Sequence, residues 1–372
     1  MNTATTHSAL ITTHELQPTD KVLEHRVFFI GQRYAHHAKH SGYEGFSRYV
    51  GTLLASPVKF RWISEAWGWE LNKKIASFTR HPFYSLGAGI TEVSTLFHMA
   101  LRRNCVYHFL YGDSDLWLLA QLRWLYRLMG HRVVASFHEP EDCLAALGIE
   151  AIAQKIDGIV LVSRAQQRFF EQWVPADQIF VVPHGIDTDY FHPDAAANLD
   201  PVCITVGAHL RDFETLGHAL TQVWNANPQI HVFAVGTRVD QKNQFAGLDD
   251  ARLHMLEGIS DDELRQRYQQ AQVAIFPFNE ATANNAVLEA LACGLPVVAT
   301  DIGGIREYVD ETTGELCPPQ DAQAFASAIL NILSDGASRT QKATTSRERA
   351  LKHRYSLVAH QLHQIYLNLL RR

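Results

Sequence analysis

Apolar residues in this chain follow two rhythms that alternate from one end to the other. Short, nearly continuous runs of Val, Ile, Leu and Phe take turns with longer stretches whose apolar positions recur three and four apart. The first rhythm predicts strands at residues 26–30, 104–110, 132–137, 158–162 and 179–182, then a second series at 202–206, 230–235, 273–277 and 296–300. Runs without polar alternation are buried on both faces, as parallel strands between two helix layers are. The expected fold class is therefore α/β, built from doubly wound sheets.

The two series are separated by residues 192–201, HPDAAANLDP, whose two prolines and small or acidic residues read as a linker. Two Rossmann-like domains are expected, residues 1–194 and residues 195–354. Beyond them Tyr355, Val358, Leu362, Ile365, Tyr366 and Leu369 lie at helical spacing, so residues 355–372 should hold an amphipathic helix that docks elsewhere. Ligands of doubly wound sheets bind beyond the carboxyl ends of the strands, which points to a cleft between the domains.

Composition narrows the function. The 372 residues are 47% hydrophobic and 19% charged, a globular profile. A net charge of -6 argues against nucleic acid as a partner. Five scattered cysteines without a C-x-x-C pair read as buried thiols in a reducing compartment. Twenty histidines come without H-E-x-x-H. The first residues lack the order of a signal peptide, and no apolar run approaches the ~18 residues of a membrane span. A cytoplasmic protein is expected, at most peripheral at the inner membrane face.

The densest chemistry lies in FPFNEATANNAVLEALACGLPVVATDIGGIREYVDETTGELCPP, residues 276–319. A strand leads through a polar loop to Asn284, Asn285 and Ala286, where a helix over 286–293 begins and stops at Gly294. After the next strand, the turn at 301–304 with Gly303 and Gly304 is predicted to open a second helix. Two helix N-termini would then face the cleft, where free N–H groups and dipoles suit a diphosphate or sugar hydroxyls. Glu289 lies among Leu288, Ala290, Leu291 and Ala292. A carboxylate there either faces solvent or needs partners such as the two hydroxyls of a ribose.

In the first half, Gly42 and Gly45 bracket a turn that either brings backbone amides to a phosphate or simply joins a strand to a helix. His138 and Glu139 end the strand RVVASF and should face the cleft. Asp113 and Asp115 either touch an acceptor or cap the following helix, capping being preferred. Residues 57–84 combine Lys59, Arg61, Lys73, Lys74 and Arg80 with aromatics, which reads either as core filling or as a contact with an anionic membrane surface or acceptor.

These pieces, with VSRAQQRFF, VVPHGIDTDYFHP, ITVGAHLRDFETL and LEGISDDELRQRYQQAQVAIFPF in order, resemble glycosyltransferase family 4, retaining enzymes of the GT-B fold. The resemblance implies a first domain on the acceptor side, a nucleotide-sugar donor domain after it, and a last helix that returns to the first domain. It implies transfer from a nucleoside diphosphate sugar to a hydroxyl acceptor without cofactor or metal. Glu289 would hold the ribose and Arg211, with His209 nearby, the diphosphate. Asn284, Asn285, Ala286, Gly42, Gly45, Gly303 and Gly304 would complete the donor site, and His138 and Glu280 would contact the sugar. The pattern departs from the family at Ala281, where a glutamate is usual, and at Ala208 and Phe213, where an arginine and a lysine are usual. A non-catalytic sugar-nucleotide-binding protein, or another GT-B enzyme such as an epimerase or phosphorylase, are the rival readings.

Overall fold

The computed structural model describes residues 26–31, 40–42, 45–46, 49–50, 52–55, 65–194, 201–236 and 251–372, with only the backbone course for 52–55 and 65–70. Residues 57–64 of the basic and aromatic stretch therefore lie outside the described residues.

Two six-stranded parallel sheets form the frame. The first runs β2-β1-β3-β4-β5-β6, from β1 (Val27–Gly31), β2 (Thr52–Ala55), β3 (Val106–Phe109), β4 (Arg132–Phe137), β5 (Gly158–Leu161) and β6 (Ile179–Val181). The second runs β12-β11-β10-β7-β8-β9, from β7 (Val202–Val206), β8 (His231–Val235), β9 (Leu253–Leu256), β10 (Val273–Phe276), β11 (Val297–Thr300) and β12 (Gly314–Cys317). All the predicted strands are present within one or two residues of their ends. The sequence reading missed β2, β9 and β12, each at the edge of its sheet. An edge strand is covered on fewer sides, and LHML and GELC accordingly carry a half-buried His254 and Glu315 instead of a continuous apolar run.

A second expectation fails at residues 301–304. No α-helix opens there; the chain makes one 3-10 turn, Ile305–Glu307. Tyr308 and Val309 turn straight into the core, and β12 begins soon after. By contrast, the helix Asn285–Ala292 is capped by Asn284 and followed by Gly294 in the left-handed region at φ 74°.

The terminal helix Tyr355–Arg371 crosses to the first sheet. Its Val358, Leu362, Tyr366 and Leu369 are buried against Phe29, Val106, Val134 and Val160. Inside that contact the ring of His108 joins the Tyr366 hydroxyl (2.6 Å) to the Ser136 hydroxyl (2.7 Å). Four of the five cysteines are buried, Cys143 is half-buried, and all are free thiols. Among the described residues no helix is long and apolar enough to cross a membrane.

Candidate active site at the two strand-order reversals

Each sheet reverses its strand order once, between β1 and β3 and between β7 and β10. At such points the loops leaving neighbouring strands diverge and open a crevice at the carboxyl ends. The two crevices face one another. Tyr111, Asp113 and Ser114 after β3, His138 and Glu139 after β4, and His184 after β6 line a cavity of about 330 Å³ with Gly42, Phe83 and Asn285. Asn285 is the first residue of its helix, so this cavity joins both domains.

Of the two glycines predicted to form a phosphate loop, one lines the cavity. Gly42 has φ 86°, and a Cβ there would come within 3.2 Å of Asn285 Nδ2. Gly45 instead packs under the terminal helix, where a Cβ would lie 2.2 Å from the Tyr355 ring. Gly303 and Gly304 likewise serve close backbone approach. Added Cβ atoms would meet Ala281 O at 1.8 Å and Thr282 O at 2.0 Å. Nearby, Glu307 accepts from the Ser163 hydroxyl (2.5 Å) and the Arg164 amide (2.7 Å), so this turn ties the domains together.

Arg211 does not sit at the surface. It is 6% exposed, and among the described residues it has no carboxylate partner. Its Nη2 donates to Val206 O (2.6 Å) and lies 3.4 Å from Asn284 Oδ1, while its Nε has no acceptor. The guanidinium rests 4.3 Å from the Phe278 ring centroid. Burial lowers its pKa to about 10, so it remains a cation at neutral pH. A buried cation without a counter-charge is costly, and an anion at the adjoining helix start would relieve it. The amides of that start are not free as expected: Asn284 Oδ1 accepts from Ala286 N (3.1 Å) and Val287 N (3.4 Å).

Glu289 does not face solvent either. It is 3% exposed and accepts from the Ser41 hydroxyl (2.6 Å) and the Tyr268 hydroxyl (3.0 Å). Burial raises its carboxyl to about 7 against the opposing effect of those two bonds. Two hydroxyls thus satisfy this carboxylate, as the sequence required of any partner.

Beyond the end of β4, Thr282 Oγ1 donates to His138 O, and the His138 amide donates to Asp113 Oδ2 (2.9 Å). Asp113 therefore fixes the turn after β4 instead of capping the next helix. Its carboxyl is raised to about 7, chiefly by burial. The exposed His209 reaches across to Glu139 (3.7 Å) and holds that carboxyl below its ordinary value. Glu280 is half-buried, its pKa raised by desolvation and then by Asp142 and Glu139. The buried Ala281 lies against the Gly303 turn.

The sequence reading did not single out Ser41, His184, Tyr268 or Thr282. His184 and Tyr268 lie inside segments quoted above, VVPHGIDTDYFHP and DDELRQRYQQ, but nothing local marks their partners.

Comparison with known proteins agrees with this fold. Residues 200–335 match the family described as Glycosyl transferases group 1. A D-inositol 3-phosphate glycosyltransferase of Geodermatophilus obscurus is 28% identical over 269 residues, 61% of this chain and 60% of that protein. A phosphatidyl-myo-inositol mannosyltransferase of Mycolicibacterium smegmatis is 25% identical over 249 residues, 63% of this chain and 64% of that one. The matches thus span less than two thirds of these relatives' lengths. Among solved structures, Anabaena HepE in complex with UDP-glucose superposes with a TM-score of 0.67 at 15% identity, over 92% of this chain and 100% of that one. Sucrose-phosphate synthase of Thermosynechococcus elongatus gives 0.65 at 23% identity, over 93% and 89%. On a GT-B frame of two facing parallel-sheet domains, residues 200–335 belong to the glycosyl transferases group 1 family.

Proposed function

We propose that this chain transfers a hexosyl group from a nucleoside diphosphate sugar to a hydroxyl acceptor, with retention at the anomeric carbon. The observation that carries the reading is Arg211, a buried guanidinium without a carboxylate among the described residues, beside the capped start of the helix Asn285–Ala292. A diphosphate placed there would supply the missing counter-charge, and the same cation would stabilise it as it leaves. No metal enters this scheme. One turn deeper, Glu289 would exchange the Ser41 hydroxyl for a ribose hydroxyl. The sugar would then lie in the cavity lined by His138, Gly42 and Asn285, whose Glu139 also acts on the charge of Glu280. The acceptor hydroxyl attacks from the face the diphosphate leaves, and the departing diphosphate takes its proton, so no protein nucleophile is needed.

Named relatives act on inositol phosphates or phosphatidylinositol, and one is GDP-mannose-dependent. We propose an acceptor of that class, a polyol or its phosphate. An acceptor carried by a lipid would bring the protein to a membrane surface. The helix Glu65–Thr79 and the loop after it favour such a contact, with Lys73, Lys74, Arg80 and Phe83 exposed and Phe78 80% exposed.

Incubation with UDP-, GDP- and ADP-sugars and an inositol phosphate tests the reading. Expected is nucleotide release from one donor class, accelerated by acceptor, with the α or β configuration of the donor kept in the product. Tight binding of a donor with neither hydrolysis nor transfer would favour a sugar-nucleotide-binding protein, and an inverted product would reject retention.

A further inference from the structure

Three side chains form a line across the cavity. His138 Nε2 lies 2.7 Å from Leu110 O, His138 Nδ1 lies 3.2 Å from His184 Nε2, and His184 Nδ1 lies 2.5 Å from Asn285 Oδ1. A carbonyl only accepts, so His138 Nε2 must carry a proton. His184 is 7% exposed, and burial together with His138 and His353 pushes its pKa down to about 3, which leaves it neutral with one N–H.

That single proton links the two domains. With Asn285 presenting its oxygen, the N–H of His184 must sit on Nδ1. Its Nε2 then accepts from His138 Nδ1–H, and His138 carries both protons. If the Asn285 amide turns over, the N–H moves to His184 Nε2 and His138 is neutral. Among the groups that face the pair, the Glu139 carboxylate also favours a charged His138. Buried His108 is held near 3 by desolvation, Asp113 and Thr282 engage the His138 backbone, Glu139 is paired with His209, and Tyr308 and His353 bond the His184 backbone.

Resting on the transferase reading above, we propose that His184 is a positioning residue. With Asn285 of the donor domain it holds His138 as an imidazolium toward the transferred sugar, and donor binding beside Asn285 sets that state. A cation in this place would attract the diphosphate's negative charge and be retained while the diphosphate is bound.

Ring nitrogen shifts of ¹⁵N-histidine protein, with His138 assigned by a His138→Gln variant, test this with UDP or GDP and without turnover. Expected at neutral pH in the nucleotide complex are two protonated nitrogens on His138. In His184→Phe one nitrogen should be unprotonated, and in His184→Asn, whose amide oxygen replaces the acceptor, both should again be protonated. In transfer assays His184→Phe should lower kcat by about tenfold with little change in KM and move the alkaline limb to lower pH, with partial rescue in His184→Asn. A singly protonated His138 in the parent complex, or identical pH profiles for parent and His184→Phe, would overturn the proposal. Failure of transfer with every donor would instead overturn the transferase reading, while the nitrogen shifts would still decide the line.

Discussion

The Ser41 hydroxyl of the first domain and the Glu289 carboxylate of the second meet at 2.6 Å, both buried. Tyr268 completes the carboxylate's partners at 3.0 Å. The residue read as the ribose holder is thus engaged across the cleft by another hydroxyl. Ribose binding at Glu289 consequently requires the segment around Ser41 and Gly42 to withdraw.

This contact sets a pH dependence. Burial raises the Glu289 carboxyl from an ordinary value near ~4.3 to about 7, so the native state disfavours its ionisation. Its contribution to stability is full below the ordinary value and is lost as pH rises through about 7. Glu289→Gln should therefore stabilise the protein at pH 8, by on the order of 1–3 kcal/mol, and by less at pH 5.5. Urea unfolding at the two pH values reads this, and an equal gain at both would contradict it. The same variant should weaken nucleotide binding by about tenfold or more.

Arg211→Met should separate stability from binding. Removing a buried cation that has no counter-charge among the described residues is expected to leave the unfolding midpoint unchanged or raised. Affinity for UDP or GDP should fall by roughly tenfold or more in calorimetry, while affinity for the uncharged nucleoside stays close to the parent's. Equal losses for nucleotide and nucleoside would place the diphosphate elsewhere.

Glu92 is an anchor of the first domain. It accepts from the Tyr84 hydroxyl and from the amides of Trp117 (3.1 Å), Leu118 (2.9 Å) and Leu119 (2.7 Å), at 0% exposure. Glu92→Ala strands three amides and should destabilise the protein by about 3 kcal/mol or more in urea unfolding.

For the membrane contact, flotation with vesicles rich in anionic lipid is the measure. Replacing Lys73, Lys74 and Arg80 with glutamine should cut binding by roughly a hundredfold, since each basic side chain near such a surface contributes about 1 kcal/mol. Binding that is indifferent both to this change and to salt would remove the proposal.

The central strands and the helix Asn285–Ala292 were legible in the sequence because each is specified locally, by a continuous apolar run or by a cap and a terminal glycine. Edge strands were not, since half-burial permits polar residues such as His254 and Glu315. The site was legible in its expensive residues. A carboxylate amid Leu and Ala, like an arginine beside a strand end, announces that a partner is needed. Which partner was hidden: His138 and His184 lie 46 positions apart, and His184 and Asn285 lie 101 apart. Such pairs are created by the apposition of two domains, and no local spacing encodes them. The glycines carry a constraint of the same kind, because Gly45 and Gly304 answer to the bulk of a distant neighbour, Tyr355 and Ser163.

The terminal helix has a consequence for how the molecule comes into being. The first sheet leaves the ribosome early, yet the residues that cover its Phe29, Val106 and Val160 are made only after the whole second sheet. Domains otherwise fold in order of synthesis, N-terminal first. Here the first sheet must wait, with one apolar face uncovered, while the second domain folds ahead of it. Nascent chains stalled before Tyr355 are expected to bind chaperones through residues 27–181, although the break in the chain lies in the other domain. Loss of the helix Tyr355–Arg371 would thus be felt first in the first sheet.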